Sequence, residues 1–195
     1  MNKIIAITGG IGSGKSTALD YIEKCGYKSF NADLTYKELL QKEDFVKEIS
    51  LAVGVDPKLE NGRLSLNKCE ISKKAFNDKN VLEKLNSVTH PRIMNEMLSK
   101  ARALDGLVFC EVPLLYEGGY QDLFDYVFII KRSDENRFLH ASLRDGKSIE
   151  QIKEVAKNQF DYAKIKENAH TFIIENNGDV DALTEKIRVA IEKIS

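Results

Sequence analysis

Residues 6–22 read AITGGIGSGKSTALDYI. Four glycines and a lysine fall within the eight positions Gly9–Ser16, directly after an apolar run. Glycine weakens helices and strands alike through its backbone entropy, so such a cluster marks a place where another group comes close to the main chain. The order of apolar run, glycine-rich turn and amphipathic stretch predicts a buried strand, a tight loop and a helix.

The rest of the chain repeats that alternation. Residues 4–7, 27–30, 107–112, 126–130 and 171–175 read as short strands. Residues 15–24 and 180–194 read as helices with one apolar face, and Gly26 sits where a left-handed cap would end the first. Strands separated by helices imply a parallel sheet covered on both faces. The pattern predicts an α/β domain over residues 1–195 with a five-stranded parallel sheet and helices on both faces. Two stretches stand outside that frame. Residues 34–104 are mainly helical, interrupted near 53–63 by Gly54, Pro57 and Gly62 and broken at His90-Pro91. Residues 134–167 form a charged helical excursion.

Bulk properties exclude some roles. With 29 basic and 30 acidic residues the net charge is -1, which gives no electrostatic drive toward nucleic acid or a membrane surface. No apolar run approaches the roughly 18 residues a bilayer span needs. The three cysteines are widely spaced, with no C-x-x-C, which suits a reducing compartment and argues against a zinc site or a disulfide framework. The first residues run straight into a strand-like segment, which predicts no cleaved leader. The expectation is a cytoplasmic protein with no obligatory protein partner.

Gly9-x4-Gly14-Lys15-Ser16 matches G-x4-G-K-[ST] in its required strand-to-helix context. Such a loop turns backbone N–H groups inward onto a polyphosphate, and the following helix adds the positive end of its dipole. This assigns Gly10, Ile11, Gly12, Ser13, Gly14, Lys15, Ser16 and Thr17 to the phosphates of ATP. Lys15 reaches the β- and γ-phosphates, and Ser16 ligates Mg²⁺. A guanine-reading switch would need N-K-x-D, and Asn67-Lys68-Cys69-Glu70 lacks the aspartate. A nucleotide-driven motor or sensor remains open. A small-molecule kinase accounts for more of the sequence, because it must close over its acceptor to exclude water, and the two helical excursions supply an acceptor region and a basic lid.

Asp33, after the second strand, suits either a base for the acceptor hydroxyl, a Mg²⁺ ligand or the cap of the helix that follows. Glu111 ends an apolar strand in a Walker-B-like manner, reaching Mg²⁺ or simply closing the strand. Leu115 and Glu117 lie in the turn 113–117, as core or as substrate wall. His90 is either a structural histidine or a substrate contact. Arg132, Arg137, Arg144 and Lys147 gather around the lid, where phosphoryl transfer wants cations. A solvated helix accounts for most of them, and Arg144, at a helix end, is the best placed. The loop at Asn177 is an adenine contact or a plain turn.

The segments ITGGIGSGKST, NADLTYKELL, LNSVTHPRI, VFCEVPLLYE, LRDGKSIEQI and IIENNG, in this order, resemble the dephospho-CoA kinase family, and the resemblance covers nearly the whole chain. It implies a P-loop kinase fold and transfer of the ATP γ-phosphoryl group to the ribose 3′-hydroxyl of dephospho-CoA, the last step of CoA biosynthesis. It implies Asp33 as the base, Lys15 and Arg144 on the migrating phosphoryl, and His90, Leu115 and Glu117 near the acceptor. It implies adenine near Asn177, a CoA-binding region over 34–104 and a lid over 134–167. The chain departs from the family pattern in three places. Asn31-Ala32-Asp33 replaces Asp-Ala-Asp, His140 replaces a lid arginine, and a lid arginine near Glu154 is missing, with Lys147, Arg137 and Lys153 as candidate substitutes.

Overall fold

The computed structural model describes residues 2–195. In chain order the elements are β1 (Lys3–Thr8), α1 (Lys15–Lys24), β2 (Lys28–Asn31), α2 (Ala32–Leu39), α3 (Glu43–Val53), β3 (Lys58–Glu60), β4 (Arg63–Ser65), α4 (Lys68–Asn77) and α5 (Lys79–Arg102). There follow β5 (Leu107–Glu111), β6 (Tyr126–Lys131), α6 (Asp134–Asp145), α7 (Ile149–Lys157), β7 (Thr171–Glu175) and α8 (Val180–Ile194). The chain divides into two compact units, one ending at Phe30 and resuming over Ala101–Ser195, the other spanning Asn31–Lys100.

The first unit is built on a five-stranded sheet in the order β2-β5-β1-β6-β7. β1 pairs in parallel with both β5 and β6, and β6 with β7. Along β1, Ile5 and Ile7 face a core with Phe109, Phe128, Ile130 and Ile174, closed by Ala18, Leu19 and Ile22 of α1 and by Leu183, Ile187 and Ile191 of α8. The alternate positions Ile4, Ala6, Val108, Cys110, Val127 and Ile129 are equally buried. Strands buried on both faces explain why these segments read as continuous apolar runs rather than alternating ones. Each fully buried aliphatic side chain contributes about 1.5–3 kcal/mol. The expected parallel five-stranded sheet is therefore present, and all five expected strands are in it.

α8 begins where Asp179 Oδ1 accepts the Ala182 N–H at 2.8 Å. α7 begins with a reciprocal cap: Ser148 Oγ accepts the Gln151 N–H, and Gln151 Oε1 accepts the Ser148 N–H at 2.9 Å. Gly146 ends α6 in the left-handed region, with φ 63°. The charged excursion is thus two short helices with a hinge-like turn between them.

The second unit has its own core: Leu39 from α2, Phe45, Val46, Ile49 and Val53 from α3, then Val55, Leu66 and Ile71. The sequence is expected to break at Pro91, but α5 runs unbroken through it over 24 residues. Proline in a helix interior costs about 3 kcal/mol. The cost is met by packing, since Val81, Leu85 and Val88 before Pro91 and Ile93 after it all lie against that one core. The interruption near 53–63 is an antiparallel hairpin in which Leu59 faces Leu64 and Glu60 faces Arg63. Its turn residues, Asn61 and Gly62, both have positive φ, 51° and 76°. Asn-Gly is the strongest short hairpin signal in a sequence, and reading Gly62 alone as a break misses it.

Asn31 closes β2 and caps α2, its Oδ1 accepting the Leu34 N–H at 3.1 Å. The cap considered for Asp33 therefore belongs to Asn31. Asparagine and aspartate cap about equally well, so the departure at this position keeps its local structural role. Asn31→Ala is expected to cost about 1 kcal/mol in urea unfolding, and Asn31→Asp only a few tenths. Equal stability of all three proteins would remove the cap from the account.

Candidate active site

The glycine-rich loop leaves β1 at the centre of the sheet, between β5 on one side and β6 on the other. In open α/β sheets, ligands bind at this reversal of strand order, outside the carboxyl ends of the strands. Gly9, Gly12 and Gly14 all have positive φ. A Cβ at Gly9 would collide with the Ile130 carbonyl oxygen, one at Gly12 with the Arg137 carbonyl oxygen, and one at Gly14 with the Asn176 amide. The glycines thus admit protein groups from β6, α6 and the end of β7, as well as leaving the inner side of the loop open.

That inner side is a cavity of about 320 Å³ lined by Gly12, Ser13, Gly14, Lys15, Ser16, Thr17, Glu111, Arg132, His140, Ala141 and Arg144. Three permanent cations face one carboxylate, at the N-terminus of α1. Lys15 Nζ donates to the Gly9 and Gly10 carbonyls at 2.8 and 3.1 Å. Glu111, 5% exposed, ends β5 opposite Ile7. Arg144 forks onto Asp145, Nε to Oδ1 at 2.6 Å and Nη2 to Oδ2 at 2.9 Å. This bond, together with the negative charge of Glu111, holds the guanidinium above its ordinary value. Asp145 is held below the usual carboxylate range by the same bond.

The donor chemistry fits an anionic nucleotide. Ser13 Oγ and Arg132 Nε are buried without a hydrogen-bond partner among the described residues, and both residues line the cavity. The set also fits Mg²⁺. Among the described residues no cluster of three His, Cys, Asp or Glu could hold a metal by itself. One hydroxyl (Ser16) and one carboxylate (Glu111) in a shared cavity suit an ion held mainly by phosphates and water.

The outer side of the loop is clasped. Asn176, buried, donates from Nδ2 to the Ser13 carbonyl at 2.8 Å and from its backbone N–H to the Lys131 carbonyl at 2.7 Å. Ile11 donates its N–H to Gln159 Oε1 at 2.8 Å. The Arg137 guanidinium, anchored on Asp134 at 2.7 Å, lies beside Gly10. Of the candidate substitutes for the altered lid cations, Arg137 is thus the one against the loop.

The other expected site residues fall as follows. His140 lines the cavity. Leu115 is wholly buried, so its side chain belongs to the core rather than to a substrate wall. Glu117 Oε1 accepts the Phe160 N–H at 2.8 Å. Asn177, exposed, accepts the Ser133 N–H on its Oδ1 at 2.8 Å. In the second unit, Asp33 is an exposed residue in the first turn of α2. His90 is half-buried in α5, and burial lowers its pKa.

Sequence reasoning missed Asn176 and Gln159, and it placed Arg132 among the lid cations without choosing it. Arg132 directly follows β6 and lines the same cavity as Glu111 at the end of β5. Asn176 stood in the noted Asn-Asn-Gly segment beside the residue chosen. Gln159 offered no local signal, because its partner is 148 positions away.

A glycine loop at a sheet's switch point, with a lysine and two arginines around one Mg²⁺-competent carboxylate, defines a P-loop kinase-like nucleotide site. Comparison with known proteins narrows the class. The family profile described as dephospho-CoA kinase matches residues 3–182. The dephospho-CoA kinase of Fusobacterium nucleatum is 30% identical over 98% of both chains. The crystal structure of TT1252 from Thermus thermophilus, 25% identical, superposes with a TM-score of 0.81 over 100% of this chain and 98% of that one. Dephospho-CoA kinase from Campylobacter jejuni, 26% identical, gives 0.70 over the same shares. The chain belongs to the dephospho-CoA kinase family.

The bond between Asn176 and Ser13 generates a stability test. Removing the buried donor leaves a carbonyl unpaired, at about 1–3 kcal/mol. Asn176→Ala is expected to unfold in urea with a loss in that range. Asn176→Asp, nearly isosteric but unable to donate when ionised, is expected to lose at least as much. Wild-type stability in the aspartate variant would show that the bond contributes nothing.

Proposed function

We propose that the chain transfers the γ-phosphoryl group of ATP to the ribose 3′-hydroxyl of dephospho-CoA, giving CoA and ADP. The carrying observation is the cavity in which Lys15, Arg132 and Arg144 surround a glycine loop with Glu111, in a chain whose family performs the final step of CoA biosynthesis with ATP. The exposed Cys25 and Cys69 and the buried Cys110, all free thiols, support a reducing, cytoplasmic setting. No helix among the described residues is long and apolar enough to cross a membrane.

In this reading the backbone N–H groups of the loop other than that of Ile11, which Gln159 holds, cradle the phosphates, and Lys15 and Arg144 neutralise charge on the migrating phosphoryl. Arg132 joins them. Ser16 and Glu111 would hold Mg²⁺, which would supply charge neutralisation on the phosphates. Asp33, relieved of capping by Asn31, orients the acceptor hydroxyl and accepts its proton. The unit 31–100, with His90, binds the CoA moiety. Residues 134–167 act as the lid. Because Asn177 already accepts from Ser133, adenine would meet the main chain of its loop.

The decisive assay is ADP release from Mg·ATP with dephospho-CoA, against adenosine, AMP and CMP. Turnover with dephospho-CoA alone, yielding CoA, is the expected result. Turnover with none, in a protein that binds ATP, would favour a nucleotide-sensing regulator. Two variants test the roles. Lys15→Ala is expected to impair ATP use with any acceptor, and unchanged turnover would remove the phosphate-loop reading. Asp33→Asn is expected to lower kcat strongly with ATP affinity unchanged. A loss under about tenfold, roughly 1.4 kcal/mol, would mean Asp33 is not the base.

A further inference from the structure

The segment that follows α7 is tied to the nucleotide site at three successive points. Gln159 Oε1 holds the Ile11 N–H. Phe160 N–H is held by Glu117 Oε1. The Tyr162 hydroxyl shares a 2.9 Å bond with Thr8 Oγ1, in the last residue of β1. The rings between these bonds pack together: Phe160 stacks on Tyr116 at 4.9 Å, and Tyr162 meets both edge-on at 5.6 and 6.0 Å. Tyr162 is 9% exposed and Thr8 wholly buried.

A strap this short with three long-range anchors does not arise from α7 needing a tail. Any polar tail could be left to water, whereas each of these bonds ends on a residue of the loop, of β1 or of the turn after β5. Two side chains back the Gly10–Ile11 stretch where a Cβ of Gly10 would stand. A Cβ at Gly10 would lie 2.9 Å from Arg137 Nη1 and 3.7 Å from Gln159 Oε1. The first residues of the loop are therefore backed by Arg137 and bonded to Gln159. Their position is the position of Gln159.

We propose that Gln159 is a positioning residue for phosphoryl transfer, fixing the entrance of the phosphate loop through the Ile11 N–H, and that Glu117 anchors it through Phe160 rather than acting on substrate by its charge. Gln159 does not touch the reacting atoms. It sets where the loop presents its N–H groups, and a displacement of about 1 Å there is enough to cost a large factor in rate. Glu117 serves as an acceptor oxygen for a backbone donor, a task an amide performs equally well. The inference rests on the reading of this site as an ATP-dependent kinase.

Gln159→Met keeps the length of the side chain and removes the acceptor. We expect kcat/KM for Mg·ATP to fall about tenfold or more, with KM for dephospho-CoA within twofold and the thermal midpoint within a few degrees. At Glu117 the pair Glu117→Gln and Glu117→Leu separates anchor from charge. The leucine variant is expected to lose a similar factor, and the glutamine variant to restore at least half of it. Hydrogen exchange at the Ile11 amide supplies a readout independent of turnover, expected to quicken in Gln159→Met. Ile11 exchange and ATP use both as in the wild type would overturn the role of Gln159. Glu117→Gln as impaired as Glu117→Leu would return Glu117 to the substrate. Should the wild-type chain bind Mg·ATP without phosphorylating dephospho-CoA, the functional reading fails. The strap is then judged by Mg·ATP affinity alone, which Gln159→Met is expected to weaken by the same factor.

Discussion

The glycine loop is held from outside by main-chain and amide groups that come closer than any side chain would permit. The carbonyls of Ile130 and Arg137 and the amide of Asn176 occupy the space where Cβ atoms of Gly9, Gly12 and Gly14 would stand. Anion binding through backbone N–H groups works only if those groups are already oriented, since turning them at the moment of binding would cost the entropy that makes glycine flexible. The clasp removes that freedom in advance. The unusual glycine density thus answers two demands at once, a mobile residue type for a tight turn and an immobilised turn in the folded protein.

Charge follows the same economy. A cavity with Lys15, Arg132, Arg144 and one buried carboxylate would be strained if every cation stood alone. Lys15 bonds to loop carbonyls and Arg144 to Asp145. These partners keep the cations in place without neutralising the site, because carbonyls carry only partial charge and Asp145 is exposed enough to be well solvated. A triphosphate then meets donors that need little rearrangement, which is how electrostatic catalysis avoids a reorganisation cost.

Much of this was legible in the sequence. The strands could be read because a sheet buried on both faces writes itself as runs of Ile, Val and Phe. The loop could be read because its chemistry is local. What escaped was non-local or decided by tertiary packing. α5 passes through Pro91 because the stripe on both sides of it shares one core. The hairpin at Asn61-Gly62 escaped because Gly62 was weighed with Gly54 and Pro57 as an interruption, and Asn61 beside it was not weighed. Gln159 and Asn176 reach the loop across 148 and 163 positions, a distance that no window of sequence spans. Of the two readings open for Leu115, its burial favours the core.

The bond from Asn176 to the Ser13 carbonyl carries a consequence for biosynthesis. The loop precedes Asn176 by 163 positions, and Asn176 lies just beyond β7, the last of the five sheet strands in chain order. The nascent chain therefore carries a phosphate loop whose closing contact has not yet been translated. The clasped form of the loop is thus complete only once β7 and the residue after it have been made.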